Sequence, residues 1–115
     1  MFTQKGRSKN NGISMIYFKR YKTEHGDVIA MCDEELIGKV IKEGKIEIDL
    51  NKYASFYKGE LLKEEDVEAL IDNIYSANIV GERSAKIIIK KGLASENDIR
   101  KVNGIPFMQL FKIDY

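Results

Sequence analysis

The apolar residues of this chain change their spacing several times, and each change marks an element. From Ile16 to Lys22 the β-favouring residues Tyr17, Phe18 and Tyr21 predict a strand. Val28 to Cys32 predicts a second, with Glu24-His25-Gly26-Asp27 as the turn of a hairpin. Lys39 to Lys42 and Lys45 to Leu50 predict another hairpin across Glu43-Gly44, with Ile46, Ile48 and Leu50 on one face of its second arm. The spacing then lengthens to a helical one: Val67, Leu70, Ile71 and Ile74 fall at i, i+3, i+4 and i+7. Glu64, Glu65 and Asp66 stand in the first turn, where the helix dipole favours acids, and the pattern runs to about Tyr75.

A short run, Asn78-Ile79-Val80, separates that helix from a second one over Glu82 to Lys91. The second helix would bury Ala85, Ile88 and Ile89, place Lys90 and Lys91 at its last turn and stop at Gly92. Ser95-Glu96-Asn97-Asp98 has the form of a cap for one further turn. After Asn103-Gly104 and Pro106, the run Phe107 to Ile113 is apolar on both faces until Lys112, as an interior strand is. The expected fold is α+β: one compact domain with an antiparallel or mixed β-sheet and two main helices packed on it.

The first fourteen residues do not join this pattern. They hold Lys5, Arg7 and Lys9, no acid and almost no apolar residue, so residues 1–14 are expected as a flexible basic tail and residues 15–115 as the domain. With 43% apolar residues in 115, one domain can build a core without disulfide staples.

The chain has 19 basic and 18 acidic residues. Once the tail is set aside the balance is slightly acidic, so polyanion binding by the whole surface is not implied, and a nucleic acid would need a local basic face or the tail. Cys32, the single cysteine, excludes an internal disulfide and a cysteine-rich zinc site, and reads as a small buried hydrophobe. No apolar run is long enough to span a membrane and no secretory segment opens the chain, so a cytoplasmic location is expected.

Candidate chemistry gathers in Ser76 to Ser84. Gly81 opens the second helix, whose first N–H groups are unpaired and lie at the positive end of the dipole, and Arg83 offers a forked donor to a phosphate or carboxylate. Glu82 in the same turn would repel such an anion, so the simpler reading is a well-capped helix start, with ligand contact as the alternative. Tyr53, Phe56 and Tyr57 lie in a polar connection from Asn51 to Glu60; such aromatics pin a loop to the core, or else stack on bases. Gln109 sits amid apolar residues, where a buried amide bonds to nearby backbone or marks a site. His25 reads as an exposed turn residue and Asp33-Glu34-Glu35 as a solvated acidic turn rather than a metal site. No nucleophile is set beside a base, no glycine loop cradles phosphate, and no metal ligands are suitably spaced, so neither an enzyme nor a bound cofactor is expected.

Four segments read together carry a family resemblance: Cys32-Asp33-Glu34-Glu35-Leu36-Ile37-Gly38-Lys39, Phe56-Tyr57-Lys58-Gly59-Glu60, Ala77-Asn78-Ile79-Val80-Gly81-Glu82-Arg83 and Gly104-Ile105-Pro106. With them the chain resembles, over roughly Met15 to Ile113, a small archaeal family known as the four-hundred-and-twenty-fourth domain of unknown function. The resemblance implies an archaeal cytoplasmic α+β protein associated with RNA or translation. Many members have a histidine directly after the proline of the last segment; here Phe107 stands there, which weakens an enzymatic reading. The expected function is RNA- or ribonucleoprotein-associated binding through Lys39, Tyr57, Asn78, Gly81, Arg83, Ser84 and Gln109. The alternative is an accessory subunit that docks on a protein partner without touching nucleic acid.

Overall fold

The computed structural model describes residues 15–111, so the expected tail and the end of the last apolar run lie outside the described residues. Met15–Thr23 (β1) and Gly26–Asp33 (β2) form the first hairpin, and Val40–Glu43 (β3) and Ile46–Asp49 (β4) the second. Ala54–Tyr57 is a single helical turn (α1), followed by Glu60–Lys63 (β5) and Glu64–Leu70 (α2). Ile74–Val80 (β6) leads into Glu82–Lys90 (α3), and Arg100–Val102 (β7) and Ile105–Phe111 (β8) close the order.

Six strands make one sheet in the order β5-β1-β2-β6-β8-β7, while β3 and β4 pair only with each other. β2 and β6 run parallel and the other neighbours antiparallel, so the sheet is mixed. α2 and α3 cover one face: Ile29 and Met31 of β2 with Ala77 and Ile79 of β6 meet Val67 of α2 and Ile88 of α3 in the main core. Side chains alternate along a strand, so Cys32 and Val80 point to the other face. There the β3–β4 hairpin brings Leu36, Ile41 and Leu50 over them as a second, smaller core.

Two boundaries differ from expectation. The first main helix stops at Leu70, and Ile74 and Tyr75 open a strand. Val67, Ile71 and Ile74 enter one core in either conformation, so helical spacing of the apolar residues did not separate the two. The break is fixed by tertiary partners: Arg20 donates to the carbonyls of Leu70 and Asp72, and Asn73, at φ 49°, accepts the Asp27 N–H at 3.0 Å. The second difference is β5, an edge strand that pairs with Met15 to Phe18 of β1 and whose four residues carry no alternation strong enough to announce it. Among the described residues no helix is long and apolar enough to cross a membrane.

Candidate functional site

The sequence candidates fall at two places. Gly81, Arg83 and Ser84 form a corner at the start of α3, and what fills it is an internal carboxylate. Cys32 pairs with Val80 in the parallel β2–β6 ladder, so Asp33 and Gly81 leave the sheet side by side. Asp33 Oδ2 accepts the Arg83 N–H at 3.0 Å, and Oδ1 accepts the Ser84 N–H at 3.0 Å and its hydroxyl at 2.8 Å. The first turn of the helix thus has its anion from within the fold, and an external phosphate would have to displace it.

Asp33 is also where the acidic turn departs from expectation. Glu34 and Glu35 are exposed, but Asp33 is 2% exposed. Burial raises its pKa, against the Ser84 hydroxyl, the two N–H groups and the Arg83 charge, all of which lower it.

Arg83 is engaged as well. Its Nη1 and Nη2 donate to the two Glu35 oxygens at 3.0 and 2.5 Å, and Nη2 reaches the Met15 carbonyl at 3.0 Å. The guanidinium hydrogen bond holds the Glu35 carboxyl below its usual range, with Lys39 adding a smaller push in the same direction. Lys39 itself is exposed and tied by its backbone to Leu36 and Leu50. No three His, Cys, Asp or Glu side chains among the described residues gather to hold a metal ion.

Tyr57, Asn78 and Gln109 come together elsewhere, at a cleft of about 550 Å³ on the sheet face away from the helices. β6 and β8 form its floor, where Asn78 and Gln109 are cross-strand partners joined by a 3.3 Å bond from Gln109 Nε2 to Asn78 Oδ1. Gln109 was expected to be buried; it is exposed, because the layer over this face stops short of it.

One wall is the β4 arm, along which exposure falls from Ile46 at 49% to Leu50 at 0% as the hairpin settles onto the sheet. The other is the aromatic connection, held by β1. Tyr21 stacks on Phe56 at 5.2 Å and donates its hydroxyl to the Phe56 carbonyl, while Lys19 donates to Ser55. Phe56 meets Tyr57 edge-on at 5.1 Å, and burial raises the Tyr57 phenol to about 12. Tyr53 is left 53% exposed at the rim, with Lys52 Nζ 5.4 Å from its ring centre.

A family model described as "Protein of unknown function (DUF424)" matches residues 21–113. The chain belongs to this family. No protein of curated function matches it in sequence. The chain is similar in fold to the "Crystal structure of an uncharacterized conserved protein from Methanopyrus kandleri", with a TM-score of 0.66 and 24% identity. That similarity covers 88% of this chain and 94% of the other. The DUF424 match includes both the corner and the cleft. Phe107 packs against the second core and lines the cleft.

Tyr53 was read with Phe56 and Tyr57 as a pinning or stacking aromatic but was not among the expected binding residues, and neither was the β4 wall. The signal for Tyr53 was an aromatic in an otherwise polar connection, but stacking and pinning aromatics look the same in sequence. The Asp33 cap had no signal, since its partners lie 50 and 51 residues further along the chain.

Proposed function

We propose that this DUF424 protein is an RNA- or ribonucleoprotein-associated domain that binds a single strand in the cleft, not at the opening of α3. One observation carries the reading: an exposed tyrosine with a lysine beside its ring stands over a cleft whose floor is a pair of incompletely bonded amides. Single-strand binders combine a ring for the base with a cation for the neighbouring phosphate, and base-on-ring stacking is worth about 1–3 kcal/mol. In this arrangement the base lies on Tyr53, the phosphate beside Lys52, and the base edge toward Asn78 and Gln109.

A protein partner on the same face is the competing reading, favoured by Ile46 at 49% exposure and Phe111 at 71%. Anisotropy of a labelled single-stranded RNA of mixed sequence separates the two. The RNA reading expects micromolar or tighter binding, weakened about tenfold or more in Tyr53→Ala and retained in Tyr53→Phe, which keeps the ring. Absence of binding, or equal binding by Tyr53→Ala, would overturn it.

A further inference from the structure

The floor of the cleft continues past Gln109. Side chains alternate along β8, so Phe107, Gln109 and Phe111 share the open face while Met108 and Leu110 turn to the main core. Phe111 therefore stands one step beyond the amide pair, about 7 Å further along the strand. Its cross-strand partner is Ser76, as Asn78 is the partner of Gln109, and a serine is too small to cover a phenyl ring. Phe111 is left 71% exposed, more than any other large apolar side chain among the described residues.

Two properties of this place decide what suits it. The first is charge: neither β6 nor β8 holds a charged side chain, so a phosphate crossing the floor meets no acid on these strands, and Lys52 stands beside the Tyr53 ring to pair with one. The second is continuity. Tyr53 at the rim, the Asn78–Gln109 pair and Phe111 lie on one side of the sheet, and single-strand binders built on an open sheet set successive bases on the aromatics of that face. A protein partner would use Phe111 only as apolar area, whereas a base uses the flat face of the ring.

We infer that Phe111 is a second stacking platform, so that a strand with one base on Tyr53 sets another on Phe111; this rests on the RNA reading above. The test is anisotropy of labelled RNA strands with an abasic backbone that carry one base, two adjacent bases, or two bases one abasic step apart. A second base should tighten binding about tenfold or more at one of the two spacings, which gives the step between the platforms. Phe111→Ala should erase that gain and leave the one-base strand within about twofold. Phe111→Tyr should keep the gain, and Phe111→Leu, which keeps apolar area without a flat ring, should lose it. At so exposed a position all three variants should unfold in urea at the midpoint of the unaltered protein. No gain at either spacing, or a gain kept by Phe111→Ala, would overturn the second platform and leave binding at Tyr53 standing. A gain kept in full by Phe111→Leu but lost in Phe111→Ala would show apolar contact in place of stacking and overturn the inference. No binding of these strands or of the mixed-sequence RNA would remove both this inference and the reading beneath it.

Discussion

The carboxylate of Asp33 lies in the space that a side chain on Gly81 would occupy. The parallel pairing of β2 and β6 brings the two residues out of the sheet together, and the missing Cβ lets the acid reach the first turn of α3. A helix opening that looks in sequence like an anion site is, in the fold, a helix opening already closed by its own chain.

Gly81→Ala should therefore be among the most damaging small substitutions. The backbone at Gly81 has φ 113°, where an L-residue is strained, and the added methyl meets Asp33 directly. A loss of about 2–4 kcal/mol is expected in urea unfolding. A change under about 0.5 kcal/mol would mean that the carboxylate is not seated there.

Asp33→Asn keeps an acceptor for Ser84 but turns an amine toward the Arg83 N–H, so a cost of about 1–2 kcal/mol is expected at neutral pH. The pH dependence has a definite sign. The folded-state pKa of Asp33 is raised by burial, so its titration contributes stability that is complete below the unfolded value and lost as pH rises through the folded one. The stability advantage of the unaltered protein over Asp33→Asn should shrink from acid toward neutral pH. An advantage that grows over that range would show a lowered pKa and contradict the burial.

The strands β1 and β2 were legible as β-favouring runs on either side of a turn, and the helix α3 because its apolar residues repeat at helical spacing. The β6 boundary was not, since Ile74 satisfies the helix that ends before it and the strand that it begins. Gln109 shows the complementary failure: its apolar neighbours imply burial, yet its own face of β8 is where the covering layer ends. Tyr57, Asn78 and Gln109 drew attention for separate local reasons: the β6–β8 pairing joins the two amides, and the packing of α1 on β1 brings Tyr57 to them.

Cys32 next to Asp33 offers a direct probe of the second core. The thiol is fully buried, and desolvation, with the charges of Asp33 and Glu35, pushes its pKa up to about 12. At neutral pH it should resist thiol reagents until the fold opens, with the labelling rate rising in denaturant in step with unfolding. Rapid labelling in water, at the rate of an unfolded control, would show that the β3–β4 hairpin lifts from the sheet on its own.

Arg83→Ala separates the corner from the cleft. Removing the guanidinium frees Glu35 and the Met15 carbonyl, at a cost of about 1 kcal/mol because the Glu35 side chain is largely exposed. Glu35 has a lowered folded-state pKa, so its contribution is present above the ordinary carboxylate range and lost as pH falls through the lowered value. This acid-side loss should vanish in Arg83→Ala, while RNA affinity stays within about twofold of the unaltered protein. If Arg83→Ala weakened RNA binding as much as Tyr53→Ala, the strand would have to run across the corner, and the cleft would be at most part of the binding surface.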